Sequence, residues 1–414
     1  MQITRAFGRH PGTWIPPLFI LLMLAATLPA IYLGGTLNPV GNLRDLPIGI
    51  VVEPQTSTAI DAAEQVSAAI QKGVNHDEIQ LVPMTAEAEK DQITGGKISG
   101  AIRIPANFNA EIANLVSGTE GAPAHAVVHL DTNPAAGAMS VSLFTGKLTP
   151  VVSAVNTKFG SLLPQHATTT AAATALATPF SIATAPLVPL ASHTGLGTSA
   201  FYYAMVLVLL GFVGASAIHP IVDSAAGFQP SEFGPKVQRR NYIHLPRLHM
   251  LLVKWGVMIA AAPLSAAFVQ LVAGWGLDMP IPAPLELYLF STTTVAAVGI
   301  GALSVFAVFG AVGPIINMFF FVAMSMTSSA GTVPLEATPP FFRAIATFEP
   351  MRPIVAGLRS ILYYDSSPLS DLPSAWIRVI IGGCVGAAIG LTVTYLYDRN
   401  PAFSRHPSPA VQGA

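Results

Sequence analysis

Charge and sulfur are what this chain lacks most. Only 10% of its 414 residues are Asp, Glu, Lys or Arg, against roughly a quarter in a soluble domain, and the mean hydropathy is +0.57. Those values exclude an ordinary soluble protein and describe a polytopic membrane protein. The 20 basic and 21 acidic residues nearly cancel, and no basic surface interleaved with aromatics stands out, so nucleic acid is excluded as a partner. The one cysteine, Cys384, lies within an apolar run. It rules out a disulfide framework or a cysteine-built metal site within one chain.

Catalytic signatures are also missing. Gly95-Gly96-Lys97 and Thr145-Gly146-Lys147 lack both the glycine five positions before the Gly-Lys pair and the hydroxyl after it, so neither is a phosphate-binding loop. No G-x-S-x-G elbow and no H-E-x-x-H occur. His125, His129 and Asp131 suggest metal ligands, but on a strand residues four apart lie roughly 13 Å from each other, too far to share an ion. The expectation is a protein that is not an enzyme, is not its own ATPase and carries no cofactor or metal.

What is present is a series of apolar runs. The first, from Trp14 to about Leu33, matches the hydrocarbon core in length; a cleaved signal peptide ending near Ala30 is the rival reading. Further spans are expected at 200–221, 250–275, 285–309, 315–331 and 375–397, with a tight turn at Gly310 to Pro314. Between the first two spans the chain turns polar. Strand-like runs at Leu46 to Val52, Ile79 to Val82, Gly100 to Ile104 and Ala124 to Asp131 alternate with helical ones at Ala59 to Gln71, Ala86 to Lys97 and Asn107 to Val116, the pattern of an α/β domain. Helical spacing returns up to Phe159. Gln165 to Ala191, rich in Thr, Ala and Pro, reads as a surface linker, or its Pro179 to Leu190 part as a returning strand.

The expected fold class is therefore an α-helical polytopic membrane protein, with six transmembrane helices and an extracytoplasmic α/β domain between the first and second. Residues 1–35 hold the cytoplasmic N-terminus and first span, and 36–199 the α/β domain with its return segment. Residues 200–397 form a five-helix membrane domain with an amphipathic excursion at 333–374, and 398–414 a cytoplasmic tail. Positive charge beside spans stays inside, and this orientation puts Arg5, Arg9, Lys236, Arg239, Arg240, Arg247, Arg399 and Arg405 inside, with both termini cytoplasmic. The turn at 276–284 has no basic residue. Lys254, one turn into its span, is expected to snorkel to the interface. Asp223, His244 and His249 read as interfacial, leaving a membrane core that does not suit proton coupling.

The densest basic cluster is Pro235 to Arg247 (PKVQRRNYIHLPR). It orients the spans and is the best surface for a cytoplasmic partner. The most informative segment is Phe309 to Arg359. Small residues Ser328 to Gly331 end a span, and Pro334 stops it. Phe341, Phe342, Ile345 and Phe348, then Ile354, Leu358, Ile361 and Leu362, form two apolar helix faces expected at the outer interface. There Arg343, Arg352 and Arg359 would reach headgroups or Glu336, Glu349 and Asp365.

Gly310, Gly313, Ser329-Ala330-Gly331-Thr332, Pro334, Pro340-Phe341-Phe342, Pro350 and Gly357-Leu358-Arg359 together resemble the signature of type-two ATP-binding-cassette exporter permeases. The resemblance is to their phage-infection-protein (YhgE/Pip-like) branch, and Ile48 to Val52 and Lys97 to Phe108 are similar to the first half of its outer domain. Ala330 stands where the branch has a glycine, and Glu53-Pro54 replaces its acidic turn. The resemblance implies a half-transporter in the inner cell membrane, contacting membrane lipids. It would pair as a homodimer, or as a heterodimer with a second permease, and have an amphipathic N-terminal helix. A separate ATPase subunit would dock on the loop between the second and third spans, here Lys236, Arg239, Arg240 and Arg247. The implied function is export of a lipophilic compound or cell-envelope component. The alternative is an envelope scaffold or receptor whose outer domain binds a partner.

Overall fold

Val- and Ile-rich runs between helical segments build a five-stranded sheet in the first half of the chain. The computed structural model describes residues 11–58, 61–117, 126–163 and 176–403, of which residues 11–14 and 233 are described by backbone alone. Arg5, Arg9, His10, His125 and Arg405 lie outside the described residues. So do Ala59 and Ile60 of the expected helix, Ala124 of the expected strand, the middle of the Thr, Ala and Pro-rich stretch, and most of the implied N-terminal helix.

Helix α1 (Pro11–Tyr32) precedes the sheet. Then come β1 (Leu46–Val52), α2 (Ala62–Gly73), β2 (Ile79–Met84), α3 (Ala86–Thr94), β3 (Gly100–Ile104), α4 (Phe108–Ser117), β4 (Ala126–Thr132), α5 (Ala138–Leu162) and β5 (Phe180–Pro186). The strand order is β2-β1-β3-β4-β5. All pairs are parallel except β3 with β4. Strand β1 is buried along most of its length, as expected of an inner strand covered on both faces. One face carries a core of Ile48, Ile102, Phe108, Phe144, Leu148 and Val152 under α2, α4 and α5. On the other, Ile93 of α3 packs with Ile98 and Ala101. The linker reading of 165–191 is corrected in part: Phe180–Pro186 completes the sheet edge by pairing with β4.

The second half is a helix bundle. It comprises α6 (Ser199–Ala225), a hairpin of β6 (Ser231–Phe233) and β7 (Lys236–Gln238), α7 (Arg247–Leu271), α8 (Pro284–Phe309), α9 (Gly313–Asn317) and α10 (Met324–Ser328). After these come α11 (Pro340–Ile345), α12 (Met351–Tyr363) and α13 (Leu372–Arg399). A π-helical stretch, Met318–Ala323, joins α9 to α10. At Gly310, φ is +57°, a conformation glycine adopts without a Cβ penalty, and the chain reverses there. Asn317 Nδ2 donates to Ala302 O at 3.0 Å and ties the returning arm to α8. Leu207, Trp255, Phe290, Leu303, Leu358 and Ile361 share one core.

That core overturns one expectation. Ile354, Leu358, Ile361 and Leu362 of α12 do not face an interface; they are buried against the bundle. Of the other expected face, Phe341 and Phe348 are exposed while Phe342 and Ile345 are buried. Cys384 lies on the exposed side of α13.

Six helical runs among the described residues are long and apolar enough to cross a membrane: Ile15–Tyr32, Ala138–Leu162, Ser199–Ala225, Arg247–Gly276, Pro284–Ser328 and Leu372–Arg399. The chain is a polytopic membrane protein. These runs differ from the six spans read in the sequence. Ala138–Leu162 is α5, whose Leu143, Phe144, Leu148 and Val152 fill the sheet core, and Pro284–Ser328 contains the reversal at Gly310.

Candidate functional site

Two regions hold the residues singled out by sequence. The first is the hairpin between α6 and α7. Gly234, at φ +59°, makes its turn, and Lys236, Arg239 and Arg240 are all exposed. Arg247 differs from them. As the first residue of α7 it donates Nε and Nη2 to Phe403 O at 3.2 and 2.8 Å, and its guanidinium lies over the Tyr397 ring. Asp398 of α13 accepts the backbone N–H groups of Arg247 and Leu248 at 2.8 and 3.0 Å. A carboxylate at a helix N-terminus satisfies its free donors and complements the helix dipole, so the base of the hairpin is fixed to the end of α13.

Below the hairpin lies a polar cluster that sequence reasoning missed. Lys254 does not snorkel: it is 3% exposed, Asp223 4%, and its Nζ is 2.6 Å from Asp223 Oδ1. His219 Nδ1 is 3.0 Å from the same Nζ, while His219 Nε2 is 3.4 Å from Asp223 Oδ2. A neutral imidazole with its proton on Nε2 satisfies both contacts. His219 also stacks on Phe306 of α8, with ring centroids 4.9 Å apart. The 219/223 pair at i,i+4 was the available signal, since that spacing puts both on one helix face.

The second region is the seam where the sheet meets the bundle. Lys97, three residues before β3, forms an ion pair with Asp371 at the start of α13. Asn133 Nδ2 and Tyr364 Oη lie 3.3 Å apart. The Tyr363 hydroxyl accepts the Ala200 N–H at 2.9 Å. Val333 and Ala337, from the excursion, pack into the sheet core.

The signature residues gather near this seam. Arg359 Nη2 donates to Gly331 O at 2.9 Å, so Arg359 turns inward rather than toward headgroups. A Cβ on Gly331 would stand 1.9 Å from Phe201, and one on Gly357 2.4 Å from Phe290; both glycines are close-approach positions. Gly313 lies against Phe306 in the same way, and Gly310 makes the reversal. Pro334 lines a cavity of about 180 Å³ at the seam. Ala330 has φ +58°, which gives a physical reason for a glycine at this position.

Pro350 borders a different space, an apolar cavity of about 580 Å³ between α8, the Met318–Ala323 stretch, α12 and α13. Beside it Glu349 caps α12, accepting Met351 and Arg352 N–H groups at 2.7 Å each. Burial pushes its carboxyl up to about 7, although these backbone bonds oppose the shift. Burial likewise pulls the Arg359 guanidinium below its ordinary value.

A charged cluster sits apart on the sheet. Arg103 Nε is 2.7 Å from Asp131 Oδ2 and 3.8 Å from Glu89 Oε2, and its Nη1 is 3.4 Å from Glu53 Oε1. Burial, then the neighbouring Asp131 carboxylate, raises the Glu89 carboxyl to about 8. Among the described residues no group of His, Cys, Asp and Glu is arranged to hold a metal.

A family model described as ABC-2 family transporter protein matches residues 14–395, nearly the whole chain and both regions above. No curated protein and no solved structure matches it.

Proposed function

The chain belongs to the ABC-2 transporter family, and from that membership we propose that it is the permease of an exporter moving a lipophilic compound or cell-envelope component, driven by a separate ATPase. The observation that carries this reading is the mounting of the basic hairpin. Lys236, Arg239 and Arg240 project into solvent, while the hairpin's base is fixed through Arg247 to α13 and lies above the Lys254–Asp223 pair between α6 and α7. Such a hairpin suits a docking surface whose motion reaches the spans.

The orientation belongs to the same proposal. The hairpin and both termini lie in the cytoplasm and the sheet unit outside, with crossings by α1, α6, α7, α8, the 313–328 arm and α13. Two permease chains pair to make a full transporter, of the phage-infection-protein branch. The 580 Å³ cavity, lined by Val298, Phe320, Ile354, Val379 and Val385, offers a lipophilic molecule an apolar surface bordering the bilayer.

Affinity purification of the full chain from its native membrane tests the reading. A co-purifying ATPase is expected, and its recovery should fall at least about tenfold in the Lys236→Ala, Arg239→Ala, Arg240→Ala variant. Absence of any ATPase from the wild-type preparation would overturn it.

A further inference from the structure

The seam cavity contains two arginines that the coupling reading does not use. Arg352 and Arg359 are seven residues apart on α12, two turns along one face, and both line the 180 Å³ space. Among the described residues neither guanidinium has a carboxylate within ion-pair distance. Arg359 spends Nη2 on Gly331 O, and its Nε is buried without a hydrogen-bond partner. The ionised residues lining the cavity are Lys97, Arg352, Arg359, Glu336 and Asp371. Lys97 and Asp371 neutralise each other, so within the lining two guanidiniums face the Glu336 carboxylate, with the buried Glu349 carboxyl near Arg352 but outside the lining.

A buried donor on a charged group is costly to leave unmet, and a guanidinium fork matches the paired oxygens of an oxyanion. Removing the charge from Arg359 would relieve that cost if packing were its only role. The space is also far larger than the roughly 10–15 Å³ needed to seat one water. We propose that this cavity binds a phosphate-class oxyanion, held by Arg352 and Arg359 at the junction between the sheet unit and the bundle. In the orientation proposed above the junction lies at the outer membrane surface, where a phospholipid headgroup is one source and a soluble phosphate the other. The chemistry of the site does not depend on ATPase coupling.

The test uses the full chain in detergent. In one arm phosphatidylglycerol is titrated against phosphate-free diacylglycerol, with bound lipid read by native mass spectrometry. In the other, inorganic phosphate is titrated against chloride at equal ionic strength, with melting temperature as the readout. The expected result is saturable binding in at least one arm, weakened about tenfold or more in Arg352→Gln. Arg359→Lys, which keeps the charge but loses the fork, should weaken it as well, and Arg352→Gln alone decides should that second variant not fold. Response to the lipid alone assigns the headgroup, and response to phosphate alone the soluble anion. No saturable response in either arm, or one unchanged in Arg352→Gln, would overturn the proposal, whatever the outcome of ATPase co-purification.

Discussion

Lys254 Nζ lies 2.6 Å from Asp223 Oδ1, with both side chains sealed between α6 and α7. Desolvating two charges is expensive, and losing one partner leaves the other buried and uncompensated. Lys254→Met alone should therefore destabilise by about 3–5 kcal/mol, whereas Lys254→Met with Asp223→Asn should recover much of the loss. Melting in detergent of both single variants and the double gives the coupling; a loss in the double equal to the sum of the two single losses would show that the pair is not coupled.

The four basic residues of the loop should separate into two classes. Lys236, Arg239 and Arg240 are exposed, so replacing all three by alanine should change stability by no more than about 0.5 kcal/mol at each site. Arg247→Ala removes two hydrogen bonds and a ring contact, a loss of about 1–3 kcal/mol. Thermal melting of the two variants side by side distinguishes a docking charge from a structural one.

Ala330 occupies a left-handed backbone conformation at φ +58°, which costs a non-glycine residue about 1–2 kcal/mol. Ala330→Gly should stabilise by up to about 1 kcal/mol, the gain being reduced by the greater freedom of glycine in the unfolded chain. A lower melting temperature in Ala330→Gly than in wild type would contradict this account.

The buried Glu89 carboxyl carries a pH signature. Its folded value is about 8 against an ordinary 4.5, so between those limits the folded protein holds a proton that the unfolded chain has released. Raising pH through that window therefore removes stability. Glu89→Gln, which cannot ionise, should melt several degrees above wild type at pH 9, and the gap should close as the pH falls toward 5. A gap that stays constant with pH would show that Glu89 does not titrate there.

Much of the fold was legible because local pattern and final environment agree. Strand β1 reads as a strand and is one, and the apolar runs supply the bundle helices. The mixture of residue types in Phe180–Pro186 left linker and returning strand both open, because what makes it a strand is the free edge of β4, far away in the chain. Helix α12 carries an apolar face that would suit a membrane surface equally well, and only the packed positions of α6 and α13 decide that it is buried. The candidate sites divide in the same way. Exposure of Lys236, Arg239 and Arg240 followed from composition, whereas Lys254 meeting Asp223 depends on how two spans pack, and Arg352 and Arg359 became a pair only when the sheet unit closed over them.

Helix α13 has a mechanical consequence. Its 28 residues make a rod about 42 Å long at 1.5 Å per residue. Asp371 is pinned to Lys97 at one end, and Asp398 holds the start of α7 at the other. If the proposed docking at the hairpin tilts such a rod, contacts at both its ends would carry the tilt to the sheet. Helix α13 thus joins the region beside the hairpin to the sheet unit along one continuous helix.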